Sequence, residues 1–381
     1  MKICAIICEY NPFHNGHLYQ LKEAKRLSGA DAVLCVMSGN FVQRGEAAVM
    51  DKFTRARHAI LAGADLVVEL PTPFATSNAE LFAKGAVKIL SSIPDVTTLC
   101  FGAETANKAA FKLAARCMND EPKAVSEKLK ALLATGVSYA KARAQAYTGF
   151  IPFDVLSSPN NILGVEYTRA LLNMRPDVDI LPIERLGNRY SDKELSEGFS
   201  SATAIRAAIQ TGNSISDKLP DFVEADLPKS LEKSLDVLEK LAVLQKSPEQ
   251  IARVCDCTEG LENAFKKAAL LDAPLCNTLT STRYTSSRIR RIALQNLLNI
   301  DERLTRESLK APLYLRVLAI KKERAEVLSA ISESVFPLLI RAHDEEKLSG
   351  IAKECFQTDI YAEKIYGLLY PQNRTEKNVF V

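Results

Sequence analysis

The sequence predicts an α/β protein: a doubly wound parallel sheet over residues 1–211, followed by an all-α C-terminal domain over residues 212–381. Three observations predict it. Short apolar runs alternate with helical spacings over the first 210 residues. The runs are short and apolar, as parallel strands covered on both faces are. From about residue 212 only helical spacings follow.

The elements follow in order. Residues 2–7 form a strand-sized apolar run that ends in Glu9-Tyr10-Asn11-Pro12. Leu18, Leu21, Ala24 and Leu27 recur at helical spacing. Residues 32–37 give a second strand and 53–61 a helix. A third strand at 66–70 is stopped by Pro71, and a helix follows at 79–90. A fourth strand at 97–101 stops at Gly102; a helix at 161–172 leads to a fifth strand at 178–183. Right-handed crossovers then wind helices onto both faces. Residues 212–214 and 220–228 read as a connecting region. Helices are expected at 231–244, 264–271, 287–298, 313–329 and 360–369, with no strand among them.

Composition sets bounds. The 381 residues are 47% hydrophobic and 25% charged, which excludes a mainly disordered chain. No apolar run approaches the roughly 18 residues of a membrane span, so no membrane partner is expected. Met1-Lys2 and a short apolar run without a small-residue cleavage site do not fit a secretory signal. The nine cysteines are odd in number, and Cys255 and Cys257 lack zinc-like spacing, so no metal site and a reducing cytoplasm are expected. Net charge is only +3.

In doubly wound sheets ligands bind beyond the C-terminal strand ends. The first such loop carries Asn11-Pro12-Phe13-His14-Asn15-Gly16-His17, two of the chain's four histidines flanking a glycine where a helix begins. A helix N-terminus attracts phosphate. Gly16 permits close approach of a ligand to the backbone. Imidazoles can donate to phosphate oxygens as charge builds up at an α-phosphorus. A second element, Ser200-Ser201-Ala202-Thr203-Ala204-Ile205-Arg206, puts hydroxyls at a helix start with Arg206 one turn in. Those hydroxyls and Arg206 suit a clamp on β- and γ-phosphates.

The first motif resembles the HIGH-type signature of the nucleotidyltransferase superfamily, and the second resembles the element that closes that superfamily's site. The resemblance implies a Rossmann-like sheet holding ATP at the first strand. Further segments narrow it: Ser38-Gly39-Asn40-Phe41-Val42-Gln43-Arg44-Gly45-Glu46, Asp51-Lys52-Phe53-Thr54-Arg55-Ala56, residues 63–71, Phe101-Gly102-Ala103-Glu104 and residues 158–167. With Arg283-Tyr284-Thr285 and Arg288-Ile289-Arg290-Arg291 they resemble the tRNA(Met) cytidine acetate ligase family over nearly the whole chain. Phe53 stands where that pattern expects Trp.

The resemblance implies that acetate attacks the α-phosphate of ATP to give acetyl-adenylate. The acetyl group then passes to the exocyclic amine of the wobble cytidine of elongator tRNA(Met), forming 4-acetylcytidine. It implies catalytic roles for His14, His17, Lys52 and Arg206, with Arg44 near the phosphates. ATP would be wrapped by Ile7, Cys8, Glu9, Tyr10, Asn11, Pro12, Phe13, His14, Asn15, Gly16, His17, Leu18, Tyr19 and Gln20. Gly102, Asn160, Asn161, Arg185 and Ser201 would supply further contacts, and Mg²⁺ would arrive on the triphosphate. Arg44 and Glu46 lie in a Gly-bracketed loop that is either a lid or a tRNA contact.

Residues 281–324 hold 11 Lys and Arg against four acidic residues, a local +7. A basic stripe suits a phosphate backbone, so Arg283, Arg288, Arg290, Arg291, Arg316 and Lys321 are expected to bind RNA, with Tyr284 as a stacking partner for an unpaired base. Two other readings stand beside this one: an adenylyltransferase that makes a small dinucleotide cofactor, and a non-enzymatic nucleotide-binding RNA adaptor.

Overall fold

A computed structural model describes residues 1–185, 199–215, 217–228, 235–370 and 379–381. Nine strands occur among them: β1 Ile3–Cys8, β2 Ala32–Ser38, β3 Phe41–Val42, β4 Glu46–Ala47, β5 Leu66–Leu70, β6 Val96–Ala103, β7 Asp179–Glu184, β8 Leu315–Ile320 and β9 Leu338–Leu339. Seven of them form one sheet in the order β7-β6-β1-β2-β5-β8-β9. The five expected strands β1, β2, β5, β6 and β7 pair in parallel. Every residue of β2 and β5 is buried, which explains their largely apolar sequences; Glu69 in β5 is the charged exception.

Helices cover both faces. Phe82 and Val87 of the helix Ala79–Ser91 join Phe101, Phe111 and Val165 on one face. Leu21 and Ala24 of Asn15–Ser28, Ala56 and Ile60 of Lys52–Leu61, and Ile205 and Ala208 of Ala202–Thr211 pack on the other. The chain runs from β1 outward to β2 and β5, then returns to place β6 and β7 on the other side of β1. The order therefore reverses between β1 and β6, and ligands are received beyond the strand ends at such a point.

The C-terminal part departs from expectation. Residues 313–329 are not one helix. They form β8, antiparallel to β5 with Leu66 opposite Ile320 and Val68 opposite Val317, and then the helix Ala325–Ser332. All six β8 residues are buried, Arg316 among them; a short, mostly apolar run covered on both faces carries no period that separates strand from helix. Residues 212–381 are thus not all-α, and the sheet crosses the expected boundary at 211/212. Residues 379–381 pair with β8: the Ile320 N–H donates to the Val379 carbonyl at 2.7 Å and the Val381 N–H to the Ile320 carbonyl at 2.9 Å.

The remaining helices form a smaller core around Val243, Phe265, Ile289 and Ile292. The helix Ser286–Leu297 also turns Leu294 and Leu297 toward Phe41 of β3 and toward Ile365 and Tyr366 of Gly350–Leu369. The hairpin β3–β4, which no sequence period announces, is thereby seated between the sheet and the helical part. Of the expected helix at 231–244, Asp236–Gln245 lies within the described residues.

Candidate active site

β1 ends at Cys8, and the chain turns through Tyr10, at φ 48°, to reach His14. His14 caps the helix Asn15–Ser28. Its Nδ1 accepts the Gly16 N–H at 3.1 Å, and the His17 Nδ1 accepts the His14 N–H at 3.3 Å. Two imidazoles thus build the reciprocal cap usually made by Ser or Thr with Glu. A Cβ on residue 16 would lie 2.9 Å from the His14 ring. Gly16 is therefore required by the histidine itself, before any ligand arrives.

Burial holds the His14 imidazole down to about 3, helped by the charges of Arg185 and Arg206. Burial, then His14 and Arg185, hold His17 well below its ordinary range. Both rings are neutral here. Since Nδ1 accepts in each, each carries its proton on Nε2. Tyr10 and Phe13 wall the pair from below, with ring centroids 4.9 and 5.6 Å from that of His17.

A cavity opens at the switch point. His14, Gly16, His17, Tyr19 and Gln20 line it from the first loop and helix, Gly102 from the end of β6, Ile183, Glu184 and Arg185 from the end of β7, and Phe199 and Ser200 from the segment before Ala202–Thr211. Seven of the expected contacts meet there: His14, Gly16, His17, Tyr19, Gln20, Gly102 and Arg185. Ser200 joins them as one of the hydroxyls expected at the phosphates; Ile183, Glu184 and Phe199 were not foreseen, and their position at the end of β7 and beside Ser200 was the available signal. Ser201 is spent as a cap, its Oγ accepting the Ala204 N–H at 3.1 Å. Arg206 donates to the Asn11 carbonyl at 2.9 Å, which ties the second motif to the first.

Other expected contacts build the frame. Ile7 and Phe13 are core residues. The Tyr10 hydroxyl lies 3.6 Å from the Cys35 sulfur, Cys8 and Leu18 pack at the core's edge, and Pro12 is buried in the turn. Asn15 donates to the Asp217 carbonyl at 3.0 Å. The Asn11 Oδ1 accepts the Val49 N–H at 2.8 Å, and Glu9 accepts the Gln43 N–H at 2.7 Å. Asn161 is fully buried, its Oδ1 accepting the Glu104 N–H at 2.9 Å and its Nδ2 donating to the Asp154 carbonyl at 3.1 Å. Asn160 donates to Glu104 at 2.6 Å. These amides hold the loop after β6, and neither lines the cavity. Arg55 was missed: fully buried, it donates to the carbonyls of Glu9, Ser38, Gly39 and Met50 and knits the first two loops together.

Two expected roles meet a different geometry. Lys52 does not line the cavity. It is 1% exposed, 2.5 Å from Glu69 and 2.8 Å from Glu363. Arg316 is buried against the same two carboxylates at 3.1 and 2.7 Å. These charges gather, with the buried Asp359 beside them, where β5, β8 and the helix Gly350–Leu369 meet, which holds Lys52 away from the cavity and buries Arg316.

The basic segment is also less open than its +7 suggests. Arg283 grips Glu259 at 2.6 and 3.0 Å, and Tyr284 donates to the same carboxylate at 3.1 Å. Arg288 covers the Tyr284 ring at 5.1 Å and donates to the Asp256 carbonyl at 2.7 Å, so Tyr284 is no bare platform. Arg291 is largely buried, 3.5 Å from Asp256. Arg290 pairs with Glu46. Lys321 is exposed, but it follows β8 beside Asp65 at the opposite end of the sheet from the cavity. The partners are acidic residues far away in sequence, which a count over a window omits.

Comparisons with known proteins agree with this fold. The family model described as HIGH Nucleotidyl Transferase matches residues 1–379. A tRNA(Met) cytidine acetate ligase of Acetivibrio thermocellus is 37% identical over 97% of this chain and 95% of its own length. One from Thermoanaerobacter sp. strain X514 is 38% identical over 97% and 96%. The apo crystal structure of Thermotoga maritima TmcAL superposes with a TM-score of 0.90 at 30% identity, covering 100% of this chain and 99% of that one. The form of that protein bound with alpha-thio ATP superposes at 0.87 and 30%, over 99% and 97%. The chain belongs to the HIGH nucleotidyl transferase family and, within it, to the tRNA(Met) cytidine acetate ligases.

Proposed function

We propose that this chain activates acetate with ATP and acetylates the wobble cytidine of elongator tRNA(Met). A carboxylate oxygen of acetate attacks the α-phosphorus, the bond to the β-phosphate oxygen breaks, and pyrophosphate leaves. The cytidine N4 then attacks the acetyl carbonyl, AMP departs and one N4 proton is released. The observation that carries the reading is the neutral His14–His17 pair at a helix N-terminus, facing a cavity that Arg185 also lines.

Acetate is a weak nucleophile, so the site must hold it in line and offset charge on the phosphates. Two Nε2–H groups supply donors without bringing positive charge of their own, while the N–H groups of the first helical turn are taken by His14 and Lys218. Arg185 and Arg206 supply the charge. Mg²⁺ would enter as part of the nucleotide substrate, carried on the triphosphate. The tRNA substrate assigns the reaction to the cytoplasm.

The test mixes protein, ATP, labelled acetate and transcript tRNA(Met) without acetyl-CoA. Label on the wobble cytidine is expected. Absence of label from the RNA, with ATP binding intact, would overturn the reading.

A further inference from the structure

Glu46 stands between two arginines from different parts of the fold. Its Oε1 meets the Arg290 guanidinium, and its Oε2 lies 3.9 Å from Arg206. Arg206 belongs to Ala202–Thr211 and is otherwise held by the Asn11 carbonyl at 2.9 Å and the Thr203 hydroxyl at 3.4 Å. Arg290 belongs to Ser286–Leu297 in the basic segment. The turn before Glu46 is fixed to that same helix. A Cβ on Gly45, at φ +75°, would lie 2.5 Å from the Arg291 nitrogen and 2.6 Å from the Arg290 carbonyl carbon. The hairpin therefore rests on the backbone of the residue whose side chain it binds.

Other charged groups face the pair. Glu9 faces Arg206 together with Arg44 and Arg55. Glu239, on Asp236–Gln245, faces Arg290, and Asp236 faces Glu239. Burial, then Asp236, push the Glu239 carboxyl up to about 8, so near neutral pH it is mostly protonated and competes little for Arg290. Asp236 is paired with Lys240 at 3.0 Å. Glu46 is thus the anion that Arg290 and Arg206 share.

We propose that Glu46 is a positioning residue that makes the triphosphate and the tRNA backbone compete, so that tRNA engages fully only after pyrophosphate has left. The inference rests on the function proposed above. A triphosphate draws Arg206 away from Glu46, which leaves Glu46 to Arg290 and makes Arg290 less available to an RNA phosphate. An RNA phosphate on Arg290 leaves Glu46 to Arg206 in the same way. With both ligands bound, the carboxylate has lost both cations. The coupling is negative, and by linkage each ligand weakens the other by the same factor.

The test measures the Kd of transcript tRNA(Met) with and without saturating α,β-methylene-ATP. In the wild type the analogue is expected to weaken tRNA binding about fivefold or more, at the lower end of typical coupling between sites. AMP, which leaves no triphosphate on Arg206, is expected to change it less than about twofold. Glu46→Gln is expected to bring the analogue's effect below about twofold, and Glu46→Asp to restore it. A second variant needs no RNA: Arg290→Ala leaves Glu46 wholly to Arg206 and should weaken ATP binding about twofold or more, whereas Lys128→Ala, the same charge change on an exposed helix far along the chain, should not. An equal ratio in wild type and Glu46→Gln, or tighter tRNA binding with the analogue, overturns the sharing of Glu46 alone. A transcript that does not bind the wild type overturns the RNA reading and this inference with it.

Discussion

His14 and His17 lie face to face, ring centroids 3.6 Å apart and planes 22° apart, with a backbone N–H on the Nδ1 of each. One feature therefore serves two purposes: it ends the loop after β1 and it presents two neutral donors. The two purposes separate by substitution. His14→Asn keeps a good cap, whereas His14→Ala loses about 1 kcal/mol of stability. Both should slow acetate-dependent ATP–pyrophosphate exchange by about 10²- to 10³-fold, the usual cost of one lost donor to developing charge. Wild-type exchange in His14→Asn would reduce His14 to a cap.

The same burial makes stability depend on pH. An unfolded His titrates near 6.5, while His14 in the fold titrates at about 3. Below 6.5 the unfolded chain binds more protons, so stability is full above that pH and falls as pH drops toward 3. Between pH 7.5 and 5 His14 alone should remove about 2 kcal/mol, measured by urea unfolding. His14→Asn should flatten that slope; an unchanged slope would mean that His14 is charged in the fold.

Glu239 works in the opposite direction. Its carboxyl rises from 4.5 to about 8 in the fold. The folded protein holds the extra proton, so the burial cost grows as pH rises from 4.5 to about 8 and then levels. Glu239→Gln should therefore stabilise the protein more at pH 8.5 than at pH 5, by on the order of a few kcal/mol. Equal gains at both pH values would contradict the assignment.

Lys52→Met leaves Glu69 and Glu363 with Arg316 as their remaining cation in the buried cluster. Removing one partner of a buried pair typically costs about 3–5 kcal/mol. The expected result is a large fall in the urea midpoint with ATP affinity of the folded fraction unchanged. Weakened ATP affinity at full stability would return Lys52 to the phosphates.

Binding of tRNA should weaken as salt rises, because each phosphate contact releases counterions. Arg283→Ala, which removes an exposed charge, should lower the slope of log Kd against log salt by about one. Arg316→Ala should destabilise the fold and leave that slope alone. Equal slopes for Arg283→Ala and wild type would move the RNA surface away from Arg283.

Legibility in the sequence followed locality. β1, β2, β5, β6 and β7 are largely apolar runs and each was readable alone, β5 with Pro71 as its stop; the stop expected at Gly102 failed, because pairing with β7 carries β6 through Gly102 to Ala103. His14, Gly16 and His17 lie within one turn, so their chemistry was readable too. β8 was not, because what makes Leu315–Ile320 a strand is β5, far back in the chain. Lys52 looked like a phosphate ligand until Glu69 and Glu363 were brought to it. The basic segment misled for the same reason: Glu46, Asp256, Glu259 and Glu354 all come from outside residues 281–324.

The place of β8 in the sheet has a consequence for synthesis on the ribosome. About 245 residues separate Leu70, the end of β5, from Leu315, the start of β8. At about 5–20 residues per second, β5 waits roughly 12 to 50 seconds with an open apolar edge, the kind of edge that recruits other chains. The nascent protein must cross that interval with its ATP-binding half incomplete, which makes the interval, rather than the finished fold, the stage at which this chain most needs a chaperone.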